Sequence, residues 1–141
     1  MTNGSFPYIT AASAAFLGVL QMILMLFTAY GRGKYKTGLG DGGHPGLLKR
    51  MRIHGNLAEN APIFLILLGM TEIGGQWAAL VPIFAAAFIV SRLLHIIGLM
   101  ISAGRSPFRF LGVLGTFGSI VGLAALLAIT LSRDTHWIPH F

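Results

Sequence analysis

Ionisable and amide side chains recur at helical spacing inside two apolar stretches of the sequence. Arg52, Asn56 and Glu59 are separated by four and three residues, so a helix would place all three on one face. Arg92 and His95 lie three residues apart in a later apolar stretch. Ionisable groups in such surroundings are costly, and each needs a partner or a function. The pattern favours either a structural ion pair or a polar pocket for an anionic small molecule.

The residue types also limit the chemistry that such a pocket could carry out. The chain has no cysteine, which excludes disulfides, thiolate metal ligands and a cysteine nucleophile. Thiol chemistry would therefore need a thiol brought by a substrate. His54, His95 and Glu59 do not share a helical face, so no metal site is predicted. The sequence also contains no nucleotide-binding fingerprint.

The stretches that carry these residues are long and apolar enough to cross a membrane. Hydrophobic residues make up 55% of the 141 residues and charged residues only 10%, whereas a soluble domain carries about a quarter charged residues. Four stretches reach the roughly 20 residues that a span needs. We expect an all-α membrane protein with one domain over residues 1–141, a four-transmembrane-helix bundle with spans at about 8–30, 52–73, 77–102 and 108–131.

The second and third spans must form an antiparallel hairpin, because only a short polar turn joins them. Counting along both helices from this turn places Glu59 and Arg92 at similar depth. Asn56 and His95 also lie at similar depth to each other, one level further from this turn. We therefore predict a Glu59–Arg92 ion pair, because neither charge should lie alone in hydrocarbon.

Charges outside the spans indicate the topology. The loops after the first and third spans carry eight bases, whereas the opposite side carries only Arg133. The positive-inside rule then predicts that both basic loops are cytoplasmic and both termini periplasmic. Glu72, at the outer end of the second span, is predicted to be solvated. Topology and anionic lipid explain the net charge of +6 better than nucleic acid, which is not an expected partner. The eight bases are Arg32, Lys34, Lys36, Lys49, Arg50, Arg52, Arg105 and Arg109.

Two further features favour contacts between helices or between subunits. The fourth span contains small residues at three- and four-residue spacing, which allows another helix to approach closely. His54 lies on roughly the opposite face from Asn56, so an interfacial or subunit contact is predicted for it. The small residues are Gly112, Gly115, Gly118 and Gly122.

These residues resemble a known family, the MAPEG family of membrane-associated proteins in eicosanoid and glutathione metabolism. The sequence looks like the small bacterial inner-membrane members. Together with the four-helix layout, the resemblance covers most of the chain. It is carried by residues 40–43 leading to Arg52-Ile-His-Gly-Asn56-x-x-Glu59-x-x-Pro62, by Arg92-x-x-His95, and by Arg105-Ser-Pro107-Phe-Arg109.

The resemblance implies a homotrimer that binds glutathione as a co-substrate between neighbouring subunits near the cytoplasmic face. Arg109, with Arg105 second, would stabilise the glutathione thiolate. Arg92 would support Glu59, and His95 would line the pocket. A lipophilic substrate would come from the surrounding lipid, so the implied activity is that of a membrane glutathione transferase or peroxidase. The residues that would bind glutathione are Arg52, Asn56, Glu59, Arg92 and His95.

Three positions depart from the family pattern and support an alternative. Asn60 and Leu99 occupy positions where several members have tyrosine, and Phe110 replaces a serine found in some members. These changes favour a non-enzymatic lipid-binding or scaffold protein of the same fold. A third hypothesis is a proton-coupled exporter built on Glu59. It ranks last, because Arg92 at matching depth would keep that carboxylate ionised.

Overall fold

Four helices account for nearly all of the regular structure in the part of the chain that can be described. The computed structural model describes residues 6–102, 104 and 106–133. All four helices are long and apolar enough to cross a membrane, with mean hydropathies of 2.0, 1.3, 2.1 and 2.1 over an 18-residue stretch of each. The predicted all-α, four-helix membrane bundle is confirmed. The helices are α1 (Tyr8–Tyr35), α2 (Pro45–Gly74), α3 (Val81–Ile101) and α4 (Pro107–Arg133).

Prolines and left-handed residues set the ends of the helices. α2 begins at Pro45, because proline needs no amide acceptor in a first turn. This helix therefore extends about two turns beyond the predicted second span. α3 begins at Val81 with Pro82 in its first turn, later than the predicted third span. Lys36, with φ of 49°, ends α1, and Gly75, with φ of 70°, ends α2.

The hydrophobic core lies along the contacts of α2 with its neighbours. The rings of Phe64 on α2 and Phe88 on α3 stack with their centroids 3.8 Å apart. Leu17 and Leu24 of α1 are buried against the same core, as is Leu123 of α4. Many other large apolar side chains point outward. An outward apolar surface is expected of helices that face lipid.

α3 and α4 approach closely because glycines lie at their contact. A Cβ atom at Gly112 would lie 2.7 Å from the carbonyl oxygen of Ser91 and 2.8 Å from the backbone nitrogen of His95. A Cβ atom at Gly98 would lie 2.7 Å from the backbone nitrogen of Arg109. Such distances allow no side chain, so glycine is required for this packing. The contact brings the first turn of α4, with Arg109, against His95.

The carboxylate of Glu72 caps the N-terminus of α1. One carboxylate oxygen accepts a hydrogen bond from the Ile9 amide at 2.9 Å. The other accepts from the Thr10 amide at 2.8 Å and from the Thr10 hydroxyl at 2.6 Å. Amides in a first helical turn have no acceptor within their own helix. The prediction of a solvated Glu72 did not include this role: the side chain is only half-buried, and its carboxylate closes the end of another helix.

Candidate functional site

An open cavity of about 820 Å³ lies where α2, α3 and α4 meet at one end of the bundle. We call this end the basic end. It comprises the C-termini of α1 and α3 and the N-termini of α2 and α4. Five of the seven predicted site residues line the cavity. They are Arg52, Asn56, Glu59, His95 and Arg109.

One face of α2 supplies the longest wall of the cavity. Arg52 and Glu59 are exposed there, and Asn56 between them is half-buried. Lys49 belongs to the same wall, and its ammonium group donates to the carbonyl oxygen of Met100 at 3.1 Å. Lys49 was predicted only to be one of the bases that indicate the topology. Its position three residues before Arg52 could have placed it on this face.

Arg92 lies behind the wall and not in the cavity. Its side chain is only 2% exposed. The guanidinium donates to Oδ1 of Asn56, to the hydroxyl of Thr116 and, at 3.0 Å, to the carbonyl oxygen of Gly112. None of these acceptors is a carboxylate. Within residues 6–102, 104 and 106–133, the predicted Glu59–Arg92 ion pair is therefore not among the contacts of Arg92.

The failed ion pair has a geometric reason. The depth count along the hairpin fixes the heights of the Cα atoms, but it does not fix the direction in which a long side chain extends. Arg92 turns its guanidinium toward α4 and toward Asn56, and Glu59 stays exposed at the cavity. The acceptors from α4 lie about 20 residues further along the chain, so sequence spacing gives no signal for them.

α3 and α4 complete the cavity from the opposite side. His95 is 7% exposed, and its Nδ1 is buried without a hydrogen-bond partner among the described residues. Arg109 donates from Nη1 to the carbonyl oxygen of Gly104 at 2.7 Å, which ties it to the turn before α4. Arg105, the second predicted thiolate-stabilising residue, lies outside the described residues.

The three positions that depart from the family pattern present no hydroxyl group to the cavity. Leu99 lines it with an apolar side chain. The Asn60 amide donates to the carbonyl oxygen of Asn56 at 2.7 Å, within its own helix. Phe110 is 68% exposed on the outer surface. Leu99 is therefore an apolar position between His95 and Arg109, whereas α2 contributes polar residues together with the apolar side chains of Leu48 and Met51.

The charge around the cavity favours an anionic ligand. Three cationic side chains line it, from Lys49, Arg52 and Arg109, whereas Glu59 is the acidic residue among the described lining residues. A guanidinium binds carboxylates through two parallel hydrogen bonds, and such charge-assisted bonds are the stronger ones. The arrangement suits a ligand that has more acidic groups than amines, with its one amine near Glu59.

These features define an integral membrane protein, a four-helix bundle with a cationic cavity at its basic end. The model of the MAPEG family matches residues 10–129, and the chain belongs to that family. It is 32% identical over 89 residues to inner membrane protein YecN of Escherichia coli (strain K12), covering 60% of this chain and 68% of the relative. YecN of Escherichia coli O6:H1 gives the same values. No solved structure matches the chain. The four apolar helices and these relatives support an inner-membrane location.

Proposed function

We propose that the protein binds glutathione in the cavity at its basic end and acts as a membrane glutathione transferase or peroxidase on lipophilic substrates. One observation carries this proposal. Residues predicted from three separate segments, on α2, α3 and α4, line the same open cavity. A structural role alone would not need these groups to face a common open space. Family membership supports glutathione as the ligand, because the family is associated with glutathione metabolism.

The charges of glutathione match those of the cavity. Glutathione has two carboxylates and one ammonium group, and its thiol lies between them. Arg52 and Lys49 would bind the carboxylates, and Glu59 would accept from the ammonium group. Arg109, at the opposite wall, would lie beside the thiol. A cation beside a thiol favours the thiolate, which is the reactive nucleophile.

The chemistry would then depend on juxtaposition of the thiolate and an apolar substrate. In a transfer reaction, the thiolate forms a bond to an electrophilic carbon, and the leaving group departs with its bonding electrons. In a peroxidase reaction, the thiolate attacks a hydroperoxide oxygen, which breaks the O–O bond and releases an alcohol. A second glutathione then reduces the sulfenic acid, giving the disulfide and water. Leu99 and the lipid-facing side would accommodate the apolar part of the substrate.

A homotrimer belongs to the same proposal. Glu59 is exposed near the middle of a membrane-spanning helix, where an ionised group facing lipid would be costly. Glu59 lines the cavity, which is open and not enclosed. A second copy of the chain covering the cavity would remove the carboxylate from lipid and complete the site. We therefore propose that glutathione binds between subunits.

Calorimetry on the purified protein in detergent tests the proposal, with native mass spectrometry on the same sample. The expected result is a three-chain particle that binds glutathione at up to millimolar concentration, whereas Arg52→Ala weakens binding at least tenfold through loss of a charge-assisted contact. The matched control is Arg133→Ala, which removes a cation from the opposite end of the bundle. Absence of glutathione binding would overturn the proposal, and particles of one or two chains would overturn the trimer.

A second candidate is a non-enzymatic lipid-binding or scaffold protein. The observation that favours it is the set of apolar side chains in the cavity, from Leu48, Met51 and Leu99, together with the Asn60 amide that bonds to its own helix. An acyl chain could lie against these apolar side chains with its anionic headgroup beside Arg52 or Arg109. A protein that copurifies with anionic lipid and binds no glutathione would support this candidate.

A further inference from the structure

The buried Arg92 determines which end of the Asn56 side chain faces the cavity. A guanidinium carries only hydrogen-bond donors, so only the carbonyl oxygen of the Asn56 amide can accept from it. The amide nitrogen must then point away from Arg92. Asn56 lines the cavity, and no described residue accepts a hydrogen bond from its side-chain nitrogen. The side-chain N–H of Asn56 is therefore a hydrogen-bond donor at the cavity wall that is available to a ligand.

Arg92 is itself fixed in place by α4. Its second nitrogen donates to the Thr116 hydroxyl and to the Gly112 carbonyl oxygen, and its side chain is 2% exposed. Gly112 lies in the glycine contact between α3 and α4, which leaves no room for a side chain. The chain of contacts runs from the rigid helix contact through Arg92 to Asn56. A free asparagine amide could turn either its oxygen or its nitrogen outward, and here one of these orientations is excluded.

We propose that Arg92 is a positioning residue that makes the cavity selective for carboxylates. By holding the Asn56 oxygen, it presents the Asn56 amide N–H to a carboxylate of the bound ligand. This inference rests on the proposed function, since it takes glutathione as that ligand. In this inference Arg92 positions the side chain of Asn56 and does not pair with Glu59. One carboxylate of glutathione is then required for recognition.

Asn56→Asp separates positioning from simple structural support. The new side chain still offers Arg92 an oxygen acceptor, but it replaces the N–H donor with a second carboxylate oxygen. We expect glutathione affinity to fall at least tenfold, because a hydrogen bond to a charged group is exchanged for repulsion. The thermal midpoint should not fall, because Asp would form an ion pair with the buried Arg92. Asn60→Asp adds the same charge one turn away and should change affinity less than twofold.

The second measurement is selectivity, which a merely structural role would not move. We compare glutathione with two analogues, each of which lacks one carboxylate. These are the glycyl monoethyl ester and the analogue without the γ-glutamyl carboxylate. We expect the wild-type protein to bind glutathione at least tenfold more tightly than at least one of them. Asn56→Asp should reduce that ratio, because only Arg52 and Lys49 then remain to bind the carboxylates. Arg92→Met should reduce it as well, and Arg92→Lys, which still donates hydrogen bonds, should retain part of it.

The outcomes distinguish the inference from the proposed function. A wild-type protein that binds no glutathione overturns both. A wild-type protein that binds glutathione and both analogues equally overturns the inference alone, as does an Asn56→Asp variant with unchanged affinity and selectivity. If Asn60→Asp loses as much glutathione affinity as Asn56→Asp, the loss is due to the added negative charge. That result would also overturn the inference. Should Arg92→Met not fold, Asn56→Asp carries the test by itself.

Discussion

At the scale of single residues, polar groups in the bundle find partners that are far away in the sequence. Glu72 accepts hydrogen bonds from residues 62 and 63 positions earlier. An amide deprived of an acceptor in apolar surroundings costs free energy. The carboxylate therefore substitutes for the missing acceptors of the first turn of α1 and ties that turn to the far end of α2.

We expect Glu72→Ala to lower the free energy of unfolding by roughly 1–3 kcal/mol, because it leaves the amides of Ile9 and Thr10 without their acceptors. Glu72→Gln should cost less, since one carbonyl oxygen remains. Thermal unfolding in detergent measures both effects. Gln76→Ala, an exposed position in the following turn, is the control and should have no effect. An unchanged midpoint for Glu72→Ala would contradict the capping role.

Sequence spacing could predict which residues share a face, but not which atoms they contact. Arg52, Asn56 and Glu59 follow the helical repeat, and all three line the cavity. The partners of Arg92 and Glu72 lie on other helices, in contacts that depend on the rotation of each helix about its axis. Periodicity within one segment contains no information about that rotation relative to a neighbour.

At the scale of helices, the glycine contact between α3 and α4 is what positions the site. Gly98 accommodates Arg109, and Gly112 accommodates His95, so the two helices bring these residues together in the cavity wall opposite α2. The predicted stripe of small residues is used within the chain at Gly112, whereas Gly118 has nothing within 4 Å of its would-be Cβ atom. Spacing predicted a close helix contact but not which glycines make it.

Gly112→Ala and Gly118→Ala form a matched pair that tests this contact. At Gly112 the added methyl group would meet backbone atoms of Ser91 and His95, which cannot rotate away as a side chain could. We expect a loss of about 1–3 kcal/mol in stability and weaker glutathione binding. At Gly118 the methyl group enters open space, and alanine gains up to about 1 kcal/mol of helix propensity. Thermal midpoints measure the stability of both variants, and calorimetry measures their glutathione binding. Equal effects of the two substitutions would contradict the role of Gly112 in the helix contact.

Hydropathy predicted the four helices better than it predicted their ends. The ends follow from individual residues, such as Pro45 at the start of α2 and the left-handed Lys36 at the end of α1. α2 thereby continues beyond its apolar part and carries Lys49 onto the cavity wall. A hydropathy window stops at the first bases, so it misses this helical extension and the cation that it positions.

At the scale of the whole molecule, basic side chains gather at one end of the bundle and are held there by specific contacts. The Arg50 guanidinium lies 3.9 Å from the Phe27 ring centroid and donates to the Phe27 carbonyl oxygen at 2.9 Å. Arg32 donates to the carbonyl oxygens of Gly38 and Gly40 in the following loop. Glu72, Trp77 and Arg133 lie at the opposite end. This asymmetry supports the proposal that the basic end, with its cavity, is cytoplasmic.

Labelling of single cysteines tests that orientation directly, because the chain has no cysteine of its own. Leu39→Cys lies in the loop at the basic end, where the native side chain is 93% exposed, and Gln76→Cys lies in the exposed turn at the opposite end. In intact bacterial cells, a membrane-impermeant maleimide should label Gln76→Cys and leave Leu39→Cys unmodified until the cells are permeabilised. Glutathione is a cytoplasmic thiol, so the reverse labelling pattern would place the cavity away from its co-substrate and would count against the proposed function as well as the topology.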